Sequence, residues 1–192
     1  MELQHINVKL IARNPGDVEF DRLIPVFHEW IAGQIFPGLL LDIADYRHVH
    51  AGPGVILIGH EGDYSVDNTD GRLGVRYNRK AVLAGSNQDR LKQAARAALS
   101  AFERLEAESR LEGELRFSGQ EIEVFVNDRL LAPNSEAIRK AAEPEFGTFF
   151  ERLFRGREFA WSHNSDPRRL FSVSAKSVHP FTVAQLLANL DS

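Results

Sequence analysis

The sequence predicts an α+β fold, a mainly antiparallel sheet built from a meander and hairpins and packed by about four helices. Three observations carry that prediction. Apolar residues alternate with period 2 in several short segments and recur at spacings of three and four in about four others, the patterns of half-buried strands and of helices. The order reads strand, helix, three strands, helix, two strands, helix, two strands, helix, which is not the strict alternation of a doubly wound parallel sheet. No linker-like stretch, charge run or internal repeat divides the 192 residues. The chain is therefore read as one domain, 1–192, long enough to bury roughly 70% of the surface its unfolded form exposes.

Taken in order, Ile6, Val8, Leu10 and Ala12 alternate with His5, Asn7, Lys9 and Ile11 and predict the first strand. After a turn at Asn14-Pro15-Gly16-Asp17, Phe20, Leu23, Phe27, Trp30 and Ile31 mark a helix face, with Pro25 placing the regular helix start near Ile24. Residues 39 to 50, the run Val55 to Ile58, and Leu73, Val75 and Tyr77 predict a three-strand meander, with a tight turn at Ala51 to Gly54 and a polar loop from Asp63 to Gly71. Ser86 and Asp89 resemble a capping box, followed by the stripe Leu91, Ala95, Ala98, Phe102 and Leu105. Leu115 to Val126 reads as a hairpin turning at Ser118-Gly119. A helix capped at Asn134 or Ser135 is expected to reset at Pro144, before a Phe-rich segment closed by Gly156. A last hairpin turns at Asn164 to Pro167, and a short helix spans about Thr182 to Leu190.

Composition narrows the function classes. With 43% hydrophobic residues, 26% charged residues and a net charge of −4, the chain is of the ordinary globular kind. The absence of cysteine excludes disulfide frameworks, thiolate metal sites and a cysteine nucleophile. A pI of about 6.0 gives no overall electrostatic footprint for nucleic acid, and none is expected as a partner. The start, Met1 to His5, lacks the basic and apolar regions of a secretory leader, and nothing approaches the ~18 apolar residues of a membrane span. A cytoplasmic setting without membrane association is the expectation. Neither usual glycine-rich nucleotide motif is present and no cofactor is expected.

Polar residues of the kind that build sites gather between Asp42 and Lys80, above all His48-Val49-His50 and His60-Glu61-Gly62-Asp63. Two histidines two residues apart on a strand share a face and can ligate one metal, with Glu61 or Asp63 completing the shell. If Ala51 to Gly54 is the turn, however, His50 lies opposite Val55, Arg47 opposite Ile58 and Asp45 opposite His60. That register puts His48, His50, Val55 and Leu57 on one face. Asp45, Arg47, Ile56, Ile58 and His60 take the other, read as the core face. It separates His60 from the other two histidines, so no metal site is predicted. It also predicts a hydrogen-bonded Asp45, Arg47 and His60 group. The candidate site residues are therefore Asp45, Arg47, His48, His50, His60, Glu61 and Asp63.

Other segments carry weaker signals. Asp67 to Gly71 fails as a calcium loop because its glycine alignment puts Val66 and Tyr77 at the two strongest ligand positions. Gly52-Pro53-Gly54 precedes a strand and contains a proline, so it is no phosphate cradle. Arg72, Arg76 and Lys80 share a strand face, where they can meet an anionic ligand or a phosphate backbone, or simply solvent or nearby acids, and no aromatic platform is expected on that face for base stacking. No serine-hydrolase elbow is present.

Pro25 to Ile31, Gly52-Pro53-Gly54-Val55, Ile58 to Tyr64, and Asp128 to Asn134 together resemble a family of uncharacterised bacterial proteins. The resemblance implies a bacterial, intracellular setting and assigns no activity, cofactor or catalytic residue. Two functions follow from the residues. One is a non-catalytic module that binds a small molecule or a protein partner, self-association as a homodimer included. The other is a hydrolase or lyase using His60 and Glu61 as acid and base, or His48, His50 and Glu61 around a metal.

Overall fold

The computed structural model describes residues 1–13 and 18–192, so the expected turn Asn14-Pro15-Gly16-Asp17 lies outside the described residues. The strands are β1 (Ile6–Ala12), β2 (Leu40–Tyr46), β3 (Gly54–Gly59), β4 (Gly62–Asp67), β5 (Gly74–Arg79), β6 (Phe117–Val126), β7 (Phe159–His163) and β8 (Phe171–Ser177). They form one sheet in the order β2-β3-β4-β5-β1-β6-β8-β7, antiparallel at every pairing. With helices α1 (Leu23–Gly33), α2 (Asn87–Glu106), α3 (Glu136–Leu153) and α4 (Val183–Leu190), this is an α+β fold.

Local chemistry sets most boundaries. The α2 helix begins at the capping box the sequence announces, Ser86 and Asp89 each satisfying the other's backbone N–H. Its predicted stripe is buried, Phe102 completely. Thr182 and Gln185 make a second such box at the start of α4. Pro144, in contrast, does not reset α3, which runs unbroken through it. Burial of Ala142 on one side and Phe146, Phe149 and Phe150 on the other holds the helix against a residue that usually costs a helix interior about 3 kcal/mol.

Two further strand expectations are corrected. The meander has four strands, because the expected polar loop contains β4, whose Tyr64 and Val66 face the core while Asp63, Ser65 and Asp67 alternate on the other side. The expected hairpin around Ser118-Gly119 is the single strand β6, whose pairing with β1 shifts register between Leu10 and Ala12.

The sheet has two unlike faces. Cross-strand pairing lines up Ile43, Leu57, Tyr64, Tyr77, Val8, Val124 and Val173 on one of them. Most of these join the apolar stripes of all four helices in one core. The neighbouring row on the opposite face reads Ile56, Ser65, Arg76, Lys9, Glu123, Ser174 and Ser162.

The predicted β2–β3 register is wrong. Asp45 pairs with Val55 and Tyr46 with Gly54, so Val55 and Leu57, both fully buried, point to the core and Ile56 and Ile58 point away. The turn is longer than expected, because chain reversal occupies residues 47 to 53. Gly54 fixes where it ends: at φ +68°, a Cβ there would stand 2.2 Å from the Val66 carbonyl oxygen and 2.6 Å from the Phe20 ring.

Candidate functional site

At the centre of the open face Lys9 lies directly between Arg76 of β5 and Glu123 of β6. A lysine there is costly unless paired, and its ammonium donates to Asp67 Oδ1 at 2.5 Å, with the two residues only 2% and 1% exposed. Asp67 also accepts from the Thr69 backbone N–H at 3.1 Å and its hydroxyl at 3.0 Å, and Arg76 Nη1 stands 3.6 Å from its second oxygen. Glu123 accepts from the Ser174 hydroxyl at 3.0 Å and from Arg72, which also donates to Glu121 at 2.6 Å. Burial pushes the Lys9 ammonium below the usual lysine range, with Asp67 and Glu123 opposing that shift.

A cleft of about 690 Å³ opens over this row. Its walls come from the β4–β5 connection, the segment after β6, and the β7–β8 turn. Six cationic side chains line it, Lys9, Arg72, Arg76, Arg129, Arg168 and Arg169, against the three carboxylates of Asp67, Asp70 and Glu123. Arg72 and Arg168 also pair with carboxylates beyond the lining, Glu121 and Asp166, so the local excess of positive charge rests on Arg76 and Arg129, on a chain whose net charge is −4. Arg169 grips Asp70 through two hydrogen bonds of 2.7 and 3.1 Å, and this pair ties the β7–β8 turn to the β4–β5 connection and holds the Asp70 carboxyl below its usual range. Arg129 donates to the Arg168 carbonyl at 2.6 Å, and among the described residues no carboxylate pairs with it. The Arg76 guanidinium lies 4.9 Å over the Phe125 ring, and its buried Nε has no hydrogen-bond partner among the described residues. Chemically, this is a cleft of ligand-binding size whose spare donors suit an oxyanion.

The residues predicted from sequence lie elsewhere. His48 and His50 are exposed in the β2–β3 loop, with the His48 ring stacked near Tyr46. His60 and Glu61 form the two-residue β3–β4 turn, at the other end of β3. The six residues of β3 between the two turns span roughly 20 Å, so the three histidines cannot meet. The expected Asp45, Arg47 and His60 group is half realised. Arg47 donates to both Asp45 oxygens at 2.8 and 2.9 Å, drawing the Asp45 carboxyl down to about 2, but the pair is exposed and His60 is not part of it. Glu61 pairs with Arg79 at 2.8 Å and Asp63 with Lys80 at 2.6 Å. The cavity beside Glu61 measures about 10 Å³, room for one water. Among the described residues no three His, Asp or Glu side chains gather in a group that could hold a metal ion.

Gly62 shows what the His60-Glu61 segment does for the fold. A Cβ on it would meet the Tyr77 hydroxyl at 2.5 Å, so this turn must be tight and small. Arg72 and Arg76, recognisable in the sequence as a basic strand face, both line the cleft. The sequence pattern does not show the aromatic platform, because Phe125 comes from β6 rather than from their own strand. Nor does it show Lys9, Asp67, Glu123, Arg129 and Arg169 as parts of a site. The available signal is Lys9 itself, a charge in mid-strand between Val8 and Leu10.

Compared with protein-family models, curated proteins and solved structures, the chain matches none. No helix among the described residues is long and apolar enough to cross a membrane.

Proposed function

We propose that the protein is a binding module for a small molecule carrying a phosphate or carboxylate group, held in the open-face cleft. The observation that carries this is Arg76, stacked on Phe125 and, among the described residues, no nearer to a carboxylate than 3.6 Å from Asp67, in a cleft lined by six cationic side chains and three carboxylates. A guanidinium fixed in this way keeps its terminal Nη donors for a phosphate or carboxylate oxygen, and the low exposure of its surroundings strengthens the attraction. Arg129, which has no carboxylate partner among the described residues, supplies a second donor at the cleft wall. The volume suits a metabolite-sized ligand rather than a polymer.

Isothermal titration with inorganic pyrophosphate, and separately with malonate, tests this reading. One saturable site is expected for at least one of the two, weakening steeply as salt rises. In Arg76→Gln the affinity should fall about tenfold or more, the effect of losing a charge-assisted hydrogen bond. Absence of binding by both anions, or equal binding by the variant, contradicts it.

A further inference from the structure

Resting on the reading of the cleft as an anion site, we propose that Lys9 captures a small aldehyde or ketone bearing a phosphate or carboxylate as a reversible Schiff base, with Asp67 passing the protons. Lys9 is one of five lysines in the chain and the one whose side chain is buried in the cleft floor. Its amine is held by Asp67 Oδ1 at 2.5 Å, Lys9 pairs directly with Arg76 in the cross-strand register, and Arg76 Nη1 stands 3.6 Å from the second Asp67 oxygen. The nucleophile, a proton carrier and an anion anchor therefore share one small space. A buried lysine and aspartate are seldom more stabilising than two apolar residues of the same volume, so their presence at the floor of a ligand-sized cleft points to use. Burial lowers the Lys9 pKa and so favours the unprotonated amine that must attack.

The balance closes without an oxidant or reductant. The Lys9 ammonium gives one proton to Asp67. The freed lone pair forms the C–N bond as the C=O π pair moves to oxygen, and that oxygen takes the proton from Asp67. Asp67 next accepts a proton from nitrogen and returns it to the hydroxyl, which leaves as water while the nitrogen lone pair forms the C=N bond. One ammonium and one carbonyl become one iminium and one water. The positive charge stays at nitrogen, so the electrostatic pairing with Asp67 is kept.

The test uses the unmodified protein with sodium cyanoborohydride and pyruvate, glycolaldehyde phosphate or acetone in separate arms, followed by intact mass and peptide mapping. A single adduct at Lys9 is expected with pyruvate or glycolaldehyde phosphate, whichever headgroup the cleft prefers. It should form about tenfold or more faster than at Lys80, Lys92, Lys140 or Lys176, because the cleft holds the carbonyl in place. Pyrophosphate should suppress it. Labelling spread over the surface lysines, or equal capture of acetone at Lys9, overturns the proposal. If pyrophosphate or malonate binds the cleft and Lys9 stays unmodified, the Schiff-base proposal falls and the anion site stands. If neither anion binds, both fall.

Discussion

The cleft around Lys9 and the two turns that bound β3 are both rich in charged and polar side chains, yet they are built in opposite ways. The turns are local: His48, His50, His60 and Glu61 lie within 14 consecutive residues, and all four are exposed. The cleft is assembled from distant segments, with Lys9, Asp67 and Glu123 brought together by strand register and Arg169 by the β7–β8 turn. Its central pair is almost fully buried. A polar cluster that is dense along the chain reflects what a turn needs, whereas one that is dense only in space has been paid for in desolvation. Gly54 and Gly62 make the same point from the other side, since each is required by a close backbone or ring approach and neither by a ligand.

Substitutions can break this contrast, and the largest effects should come from the buried side. Asp67→Ala leaves the Lys9 ammonium buried without its carboxylate and should cost about 3 to 5 kcal/mol in urea unfolding. A loss below about 1 kcal/mol would show that water reaches the pair and that the cleft resembles the turns after all. Phe102→Ala, on the helix side, should cost a similar 3 to 5 kcal/mol in a single cooperative transition, since that ring is fully buried. Two separated transitions would show that the two halves of the sheet do not share one core.

At the turns the expected effects are small. His48→Ala and His60→Ala should each change stability by no more than about 0.5 kcal/mol, as for other exposed sites. The pair Asp45→Ala and His60→Ala should be additive within about 0.3 to 0.5 kcal/mol, and a larger coupling would restore the register in which the two are opposite each other. The Asp45 carboxyl, followed by carbon NMR, should titrate at about 2 instead of its ordinary 3.8, and return towards the latter in Arg47→Gln. Its folded value is depressed, so its contribution is present above the ordinary value and lost as pH falls through about 2.

How much could be read from the sequence follows from the same contrast. Period-2 and helical spacing locate nearly every element, and capping chemistry places the start of α2, because these signals are local. The β2–β3 register is not legible because a short turn at Ala51 to Gly54 fits the sequence while the chain reverses over residues 47 to 53, a difference that exchanges the two faces of the hairpin. The strand β4 was hidden because its outward residues, Asp63, Ser65 and Asp67, are polar and look like a loop, although two of them are buried. Arg72 and Arg76 were recognisable as a basic strand face, but their setting depends on β6 and the β7–β8 turn. No pattern along a single chain encodes which distant carboxylate or ring a lysine or arginine will meet.

The most direct measurement compares the two regions in one titration. Backbone amide NMR spectra recorded as pyrophosphate is added, with malonate in a parallel titration, should show saturable shifts for Lys9, Arg76, Phe125, Arg129 and Ser172 with at least one of the anions, while His48, His50 and His60 stay unmoved. Shifts confined to the histidine turns, or none at saturating concentrations of either anion, would contradict the assignment of the open-face cleft as the binding site.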